Sequence, residues 1–274
     1  MVLVDVASLS EVLKNFSAVV ITGGSSGIGK SFIELMAKME PQLLFCNLSR
    51  RAPDISGEEL KLRHIACDFS DDTQISAAAE RVISLLKREA PDGRVLLINN
   101  SGFGTYGRFL ESEIDQQAEI IDVNIRALVE LTGRLLPTLV LRGGGLINIA
   151  STAAFQPTPQ LATYGATKAF VLHWTLALAD ELRGRNIRVL AVCPGPTETG
   201  FAARAGLGEH AVAASLGQTP QQVAAEALHA WAAGRTVVVN GWRNRLLVWA
   251  SGWVPKTFAA RVAGIIIRRT TGKN

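Results

Sequence analysis

Short continuous apolar runs alternate with longer segments of helical periodicity along most of the chain. The apolar runs predict strands buried on both faces at residues 18–22, 43–48, 64–67, 95–98, 146–150, 187–192 and 236–239. Helices are predicted over residues 28–39, 71–89, 112–141 and 162–183. Alternation of this kind is typical of a parallel sheet covered by helices on both faces. Right-handed crossovers then give a Rossmann-like, doubly wound α/β fold with its ligand at the carboxyl ends of the strands.

The composition indicates a packed globular protein. Of the 274 residues, 48% are hydrophobic and 19% are charged, which is typical of a folded domain rather than a disordered chain. We expect one catalytic domain over residues 1–240 and an extension over residues 241–274. The N-terminus lacks the basic region of a signal peptide, and no apolar run reaches the ~18 residues of a membrane span. The three cysteines lack a CxxC spacing and the four histidines are scattered, so we expect a cytoplasmic protein with reduced thiols and no metal site.

A glycine-rich segment, TGGSSGIG, follows the first predicted strand and opens the first predicted helix. A loop in this position offers backbone N–H groups and a helix N-terminus to a pyrophosphate. Its candidate cofactor-binding residues are Thr22, Gly23, Ser25, Ser26, Gly27, Ile28 and Gly29. The small-residue turn after the fourth strand adds Asn100, Ser101 and Gly102. Asp68, after the third strand, either accepts a hydrogen bond from an adenine amino group or caps the helix that follows.

The end of the second strand favours NADP(H) over NAD(H). NAD sites place an acid there for the ribose 2′-hydroxyl, whereas NADP sites use arginine for the 2′-phosphate. This chain has Ser49, Arg50 and Arg51 at that point and no acid before Asp54. Arginine binds phosphate in a bidentate manner, and a serine hydroxyl can assist. The alternative is that these arginines are solvated surface residues, which applies to Arg51 more than to Arg50.

Tyr164 and Lys168 stand four residues apart, and Ser151 lies thirteen residues before Tyr164. Because four residues make about one helical turn, the phenol and the ammonium lie on one helix face. A lysine in that position can lower the pKa of the phenol towards neutrality, where a general acid works best. A proton donor close to a dinucleotide site indicates hydride-transfer chemistry.

These motifs together resemble the short-chain dehydrogenase/reductase family in its simple single-domain form. The resemblance covers roughly residues 18–239. It rests on TGGSSGIG, the NNSG turn at residues 99–102, Asn124, Ser151, the run Tyr164-Gly165-Ala166-Thr167-Lys168, and the Pro194-Gly195 turn followed by Thr199. Two positions depart from the common pattern: Ser101 replaces an alanine, and Thr197 replaces a valine or isoleucine. Neither departure removes a group needed for catalysis.

The resemblance implies a role for each of four catalytic residues. Tyr164 would exchange a proton with the carbonyl oxygen, while Lys168 would bind the nicotinamide ribose and stabilise the tyrosinate. Ser151 would hydrogen-bond to the substrate oxygen as that oxygen gains charge. Asn124 would position a water that links Lys168 to solvent. The cofactor site would be completed by Pro194, Gly195, Thr197 and Thr199. The resemblance also implies a homodimer formed through the two long helices.

The segments after Ser151 and after Pro194 are small and apolar, which favours a hydrophobic carbonyl substrate over a sugar or an acid. The candidate substrate residues are Phe103, Ser151, Ala153, Phe155, Tyr164 and Phe201. Each of the phenylalanines could equally be a core residue. The glycine- and alanine-rich segment 201–218 suggests a lid that orders on binding. His210 within it is either a surface residue or a substrate contact.

Positive charge is concentrated at the C-terminus. Residues 227–274 contain eight Lys and Arg and no acid, whereas residues 1–226 contain 20 basic and 24 acidic residues. Apolar residues recur there at roughly helical spacing, and Pro255 should divide the segment into two helices. Three interpretations stay open: attachment to a membrane surface, packing on the body or on a second subunit, and docking of an acidic carrier protein or anionic substrate tail. Nucleic-acid binding fits poorly, because the basic residues are few.

We therefore predict an NADPH-dependent carbonyl reductase that acts on a hydrophobic ketone or aldehyde, for example a 3-oxoacyl or steroid-like compound. Tyr164 is its predicted general acid. The alternatives are an alcohol dehydrogenase that runs the same chemistry in reverse, a specialised biosynthetic enzyme, and a cofactor-binding regulator without turnover. The presence of all four catalytic residues disfavours the regulator.

Overall fold

The computed structural model describes residues 6–55, 57, 60–201, 205–206 and 217–271, with the backbone alone described for residues 6–8 and 266–271. Within these residues, seven strands form one parallel sheet. They are β1 (Phe16–Thr22), β2 (Leu44–Ser49), β3 (Leu62–Ala66), β4 (Arg94–Asn99), β5 (Gly144–Ile149), β6 (Ile187–Cys193) and β7 (Val237–Val239). Their order across the sheet is β3-β2-β1-β4-β5-β6-β7. The chain reverses its direction of travel between β1 and β4, which confirms the predicted doubly wound fold and places the ligand crevice there.

Nine helices accompany the sheet in the described part of the chain. They are α1 (Val6–Leu13), α2 (Gly27–Met39), α3 (Asp72–Glu89), α4 (Ile114–Ile121), α5 (Ala127–Arg142), α6 (Ala162–Glu181), α7 (Pro220–Ala232), α8 (Trp242–Gly252) and α9 (Lys256–Thr271). Short 3-10 turns occur at Phe109–Glu111 and Thr152–Phe155. The single long helix predicted over residues 112–141 is interrupted, because a π-helical segment, Asp122–Arg126, joins α4 to α5.

Two apolar layers pack on the two faces of the sheet. Helices α3, α5 and α6 cover one face, with Ile75, Leu131 and Leu135 fully or almost fully buried. Helices α1, α2 and α7 cover the other face, where Phe32 and Trp231 are fully buried. Burial of strands on both sides explains why their sequences are continuously apolar rather than alternating.

Helices α1 and α7 were not predicted from the sequence. The start of α7 nevertheless carries a recognisable signal: Thr219 and Gln222 form a reciprocal capping box, with Pro220 in the first turn. The third strand begins two residues earlier than predicted, at Leu62. The sequence prediction thus missed two helices and misplaced the start of β3. The order of the other predicted elements is confirmed.

The C-terminal extension forms two helices on either side of Pro255, as predicted. Helix α8 is attached to the body through Asn244, which is buried and donates a 2.7 Å hydrogen bond to the carbonyl oxygen of Asn240. Glu226 of α7 accepts hydrogen bonds from Gln218, Asn240 and the backbone N–H of Gly241. Among the described residues, no helix is both long and apolar enough to cross a membrane.

Candidate active site

A cleft of about 720 Å³ opens at the carboxyl ends of β1, β4, β5 and β6. One end is formed by the glycine-rich loop, the end of β2 and the start of the segment after β3. The other end is formed by the segments after β5 and β6 together with α8 and α9. The two ends meet at Ser151, Tyr164 and Lys168. This is the crevice in which a doubly wound sheet binds its ligand.

The glycine-rich loop keeps its shape through close contacts that leave no room for side chains. Gly23 and Gly27 adopt left-handed backbone conformations, with φ of 69° and 57°. The N–H of Gly24 donates a 2.8 Å hydrogen bond to Oδ1 of the buried Asn47. A Cβ atom at Gly29 would lie 2.4 Å from the carbonyl oxygen of Gly23, so this glycine lets α2 pack against the loop.

The structure divides the predicted phosphate-side residues into those that line the cleft and those that support it. The cleft is lined by Gly23, Ser25, Ser26, Gly27, Ile28, Asn100, Ser101 and Gly102. Thr22 and Gly29 do not line it. Thr22 is buried, and its Oγ1 accepts 2.9 Å hydrogen bonds from the N–H groups of Asn100 and Ser101. Thr22 therefore joins the two turns and stands behind the surface that a cofactor would contact.

Ser49, Arg50, Arg51 and Asp68 all line the outer end of the cleft. The guanidinium of Arg50 is 66% exposed and lies 3.9 Å from a carboxylate oxygen of Asp68. The hydroxyl of Ser49 donates to the carbonyl oxygen of Arg51 at 2.7 Å and accepts from Asn47. The hydroxyl proton of Ser49 is therefore already used in a hydrogen bond to the backbone. The cationic donors that a phosphate could meet here are the side chains of Arg50 and Arg51. Hydrogen bonds from Ser70 lower the pKa of Asp68, so this residue is an anion at neutral pH.

Three of the four predicted catalytic residues, Ser151, Tyr164 and Lys168, come together at the middle of the cleft. Tyr164 and Lys168 lie on α6, and Ser151 is the N-cap of the 3-10 turn that follows β5. The side chain of Ser151 lies beside the phenol of Tyr164 and acts to lower its pKa. Lys168 is buried and donates a 2.9 Å hydrogen bond to the carbonyl oxygen of Ile149. The phenol, the hydroxyl and the ammonium are therefore neighbours on the floor of one cleft.

Burial changes the acidity of both groups on α6. It raises the pKa of Tyr164 to about 12, against a smaller lowering by the Ser151 hydrogen bond. It lowers the pKa of Lys168 to about 8. The prediction that the lysine lowers the tyrosine pKa towards neutrality is wrong for this structure, because desolvation of the phenol outweighs the other influences. A neutral phenol is nevertheless the form that can donate a proton.

Asn124 lies within the π-helical segment and is 1% exposed. Its Oδ1 accepts from the N–H of Phe103, and its Nδ2 donates to the carbonyl oxygen of Phe103 and to Oγ1 of Thr167, each at 3.0 Å. The side chain therefore anchors the turn after β4 to α6 and does not line the cleft. A water positioned by Asn124 stays a prediction.

The cleft is also lined by residues of the segment after β6 that face the glycine-rich loop: Pro194, Gly195, Thr197 and Thr199. A Cβ atom at Gly27 would lie 3.1 Å from Cγ2 of Thr199, so the two loops nearly touch. A Cβ atom at Gly195 would lie 2.3 Å from Nδ2 of Asn244. The extension thus packs directly on the turn after β6, as in the interpretation that it packs on the body.

The substrate end of the cleft includes Phe103, Ala153 and Phe201, with the ring of Phe201 centred 5.1 Å from that of Tyr164. Phe155 is not among the residues that line the cleft, which favours the core alternative for this side chain. Its side chain packs against the cluster around Leu128 and Val171. His210 and most of the predicted lid segment 201–218 lie outside the described residues.

Sequence reasoning missed two further parts of the site. Gly104 lies against Tyr164, since a Cβ atom there would be 2.8 Å from Cδ2 of the ring. The extension supplies apolar cleft residues that include Leu247, Val248, Val254, Phe258, Ala259 and Val262. Their helical spacing was visible in the sequence, but spacing does not show which surface a helix covers. In the described part of the chain, His, Cys, Asp and Glu nowhere form a group of three that could hold a metal ion.

The fold and the site define a dinucleotide-type oxidoreductase: a glycine-rich loop at the switch point of a doubly wound sheet shares one cleft with a tyrosine and a lysine. The family model described as short chain dehydrogenase matches residues 17–210. The chain therefore belongs to the short-chain dehydrogenase family.

Two relatives are named as 3-oxoacyl reductases. A very-long-chain 3-oxoacyl-CoA reductase of Neurospora crassa is 34% identical over 180 residues, which cover 62% of this chain and 53% of that protein. The match thus spans about half of that relative's length. A 3-ketoacyl-(acyl-carrier-protein) reductase from Brucella melitensis, complexed with NADH, has a TM-score of 0.72 at 27% identity, over 83% of this chain and 98% of that one.

A third similar structure carries the phosphorylated cofactor. A short-chain dehydrogenase from Sphingobium yanoikuyae, in complex with NADPH, has a TM-score of 0.71 at 27% identity. The match covers 86% of this chain and 94% of that one. Since similar structures hold either NADH or NADPH, membership of the family does not choose between the two cofactors.

Proposed function

We propose that this protein is an NADPH-dependent carbonyl reductase acting on a hydrophobic ketone or aldehyde. The observation that carries the proposal is the position of Tyr164, beside Ser151, between the glycine-rich end of the cleft and its apolar end. A proton donor placed there reaches a carbonyl group that enters from the apolar side. A nicotinamide cofactor bound at the other end would supply the hydride.

The residues present fit a dinucleotide. Gly23 and Gly27 of the glycine-rich loop line the cleft in left-handed conformations and carry no side chains, so their peptide groups are bare towards a ligand. Backbone N–H groups and the N-terminus of α2 suit a pyrophosphate. Arg50 and Arg51 provide a cationic rim at the outer end, where a ribose 2′-phosphate would bind.

The chain's own groups divide the work of carbonyl reduction. Tyr164 is protonated at neutral pH and gives its phenolic proton to the substrate oxygen. The Ser151 hydroxyl hydrogen-bonds to the same oxygen as negative charge develops on it. Lys168, protonated below a pKa of about 8, stabilises the phenolate that remains. The surrounding apolar residues exclude water and strengthen these interactions.

The preference for NADPH is supported by the charges at the end of β2. Arg50 and Arg51 stand at the cleft, and the acid that would accept a hydrogen bond from an unphosphorylated ribose is missing between Ser49 and Asp54. The pairing of Arg50 with Asp68 is long and largely exposed, so a phosphate dianion can displace it at little cost.

The substrate class follows from the apolar end of the cleft. Phe201, Leu247, Val254, Phe258 and Val262 give that end few polar groups. This lining favours an alkyl or polycyclic carbonyl compound, such as a 3-oxoacyl or steroid-like substrate. The names of two relatives, both 3-oxoacyl reductases, point in the same direction.

The experiment that tests this function is NADPH binding followed by NADPH oxidation against a series of ketones and aldehydes of increasing chain length. Turnover of an apolar member of the series, and its loss in Tyr164→Phe, would support the proposal. Faster turnover of the corresponding alcohol with NADP⁺ at neutral pH would favour the alcohol dehydrogenase. Tight NADPH binding with no turnover in either direction would favour a specialised enzyme or a regulator.

We also propose a homodimer formed through the surface of α4, α5 and α6. That surface exposes large apolar side chains at Ile121, Val129, Phe170 and Leu176. The ring of Phe170 stacks on that of Trp174, with centroids 6.4 Å apart. Sedimentation velocity of the wild type and of Phe170→Ser tests this assembly, which should weaken when the apolar surface is interrupted.

A further inference from the structure

Helices α8 and α9 each present a row of apolar side chains to solvent. On α8 the exposed residues Trp242, Leu246, Trp249 and Trp253 follow one another at intervals of four, three and four, which places them on one face. Phe258, Val262 and Ile265 do the same on α9. We call these seven residues the C-terminal apolar surface. Trp249 and Trp253 are 64% and 77% exposed, with their rings in edge contact at 6.2 Å.

Basic residues flank this surface. Arg243 lies over the ring of Trp242 at 5.3 Å, and Arg261 is exposed on α9. Beyond Glu226 the chain contains no acid, so residues 227–274 carry a formal charge of +8, while residues 1–226 carry 20 − 24 = −4. Exposed tryptophans among arginines are suited to the boundary between lipid headgroups and acyl chains, where the ring is buried and the cation meets phosphate.

The same two helices form the mouth of the substrate end of the cleft. Leu247 and Phe258 line the cleft, yet they are 61% and 58% exposed. They therefore stand where the interior of the cleft meets the outside. Phe258 and Val262 belong both to the cleft lining and to the C-terminal apolar surface. The apolar interior of the cleft is thus continuous with the apolar exterior of the helix pair.

We propose that α8 and α9 dock on an anionic bilayer and that the cleft opens towards the lipid, so that the substrate is a lipophilic carbonyl compound dissolved in the membrane. Docking in the plane of the surface fits helices that expose apolar rows beside arginines. Among the described residues, neither helix is long and apolar enough to span a bilayer. The docking is independent of the proposed reductase function, whereas the entry of substrate from the lipid rests on it.

Charge distinguishes the bilayer from the competing partners. A second copy of the chain would bring the basic residues of two extensions together across the same contact, which is unfavourable. An acidic carrier protein would complement the positive charge, but it would not explain why exposed tryptophan rings run along the length of α8. An anionic bilayer satisfies both the positive charge and the apolar rings.

The test is sedimentation of the full-length protein with vesicles of phosphatidylcholine, with and without phosphatidylglycerol. We expect binding to the anionic vesicles and much weaker binding to the neutral ones. Trp249→Ser/Trp253→Ser should bind the anionic vesicles about tenfold more weakly or worse, since two interfacial anchors are lost. Arg261→Gln should reduce the affinity for anionic vesicles by about fivefold, because one basic residue near an anionic surface contributes about 1 kcal/mol. Neither tryptophan lines the cleft.

Leu141→Ser is the matched control. Leu141 is 86% exposed at the end of α5, so its removal also deletes an exposed apolar side chain. Its vesicle binding should equal that of the wild type. The proposal is overturned if the wild type does not bind anionic vesicles, or if the double tryptophan variant binds as well as Leu141→Ser. A double variant that loses self-association rather than vesicle binding would equally overturn it, in favour of a second copy.

Substrate entry is tested separately with one short water-soluble ketone and one long-chain ketone incorporated in anionic vesicles. The double tryptophan variant should raise the apparent KM for the vesicle-borne ketone and leave the kinetics of the soluble one unchanged. An equal loss on both substrates would refute entry from the lipid. Absence of turnover with both would count against the reductase function, while the vesicle-binding result would stand on its own.

Discussion

Nζ of Lys168 lies 5.8 Å from the centre of the Tyr164 ring, one helical turn away on α6. Lys168 is buried and Tyr164 is half-buried. Desolvation moves their pKa values in opposite directions, to about 12 for the phenol and about 8 for the ammonium. At neutral pH the pair is therefore a neutral acid beside a cation. That is the protonation state required for giving a proton to a carbonyl oxygen and for stabilising the phenolate left behind.

The pH dependence of carbonyl reduction should follow Lys168. The lysine keeps its charge below its pKa of about 8 and loses it above, whereas Tyr164 stays protonated up to about 12. We expect kcat for reduction at saturating NADPH to be level near pH 6 to 7 and to fall through an inflection near pH 8. Initial rates between about pH 6 and about pH 10 measure this. Rates that rise with pH across that range would contradict the assignment.

Tyr164→Phe removes the proton donor and keeps the ring that packs against Phe201. Turnover should fall by about a hundredfold to ten-thousandfold, the usual contribution of a positioned general acid. NADPH affinity should change by no more than a few fold, because the other cofactor-side residues are untouched. Fluorescence titration and stopped-flow reduction separate the two effects. Near-normal turnover in this variant would assign the proton to another group.

Arg50→Ala should discriminate between the two nicotinamide cofactors. Loss of a charge-assisted hydrogen bond to a 2′-phosphate costs about 2 kcal/mol, or about thirtyfold in Kd for NADPH. The Kd for NADH should stay within about twofold, because that cofactor has no phosphate at this position. Arg51→Ala is the companion variant that apportions the phosphate contact between the two arginines. Equal weakening for both cofactors would show that Arg50 does not recognise the phosphate.

Gly104→Ala tests the position of Tyr164 without removing a chemical group. The added Cβ would lie 2.8 Å from Cδ2 of the ring, so the phenol must shift. We expect kcat to fall by about tenfold to a hundredfold through misplacement of the proton donor, with NADPH binding nearly unchanged. Gly133→Ala is the control: it lies in α5 with no atom within 4 Å of the new Cβ. That change should leave kcat unaltered and stabilise the helix by up to about 1 kcal/mol.

Glu226→Ala tests the attachment of the extension to the body. The carboxylate accepts from Gln218 at 3.0 Å, Asn240 at 3.3 Å and the N–H of Gly241 at 3.2 Å. Its loss removes the acceptor of Gln218 and of the Gly241 N–H, whereas Asn240 keeps a 3.4 Å hydrogen bond to the carbonyl oxygen of Val223. The change should cost about 1–3 kcal/mol of unfolding free energy. Because α8 lines the cleft, the KM for an apolar substrate should rise more than kcat falls. Glu181→Ala, at the exposed end of α6, removes a carboxylate elsewhere and should change neither the stability nor the KM.

Much of the fold and of the catalytic centre could be predicted from the sequence, because the relevant signals are local. Continuous apolar runs separated by helical patterns indicate a parallel sheet, and a glycine-rich loop between a strand and a helix indicates a pyrophosphate site. The spacing of Tyr164 and Lys168 places them on one helix face wherever that helix packs. Local signals also failed in places: α1 was missed, and the π-helical segment around Asn124 leaves no mark in the apolar pattern.

The contacts between distant segments were decided by folding. Gly104 lies against Tyr164 and Gly195 lies against Asn244, although other helices and strands separate the two residues of each pair in the chain. Phe155 packs against the cluster around Leu128 and Val171. The pKa of Tyr164 is another such property, since it depends on how completely the packed protein removes water from the phenol. The sequence by itself determined that the C-terminal segment forms helices rich in apolar and basic residues. Only the packing of α8 on the turn after β6 made their inner side the wall of the cleft, because a helical pattern specifies a face and not the surface that the face will meet.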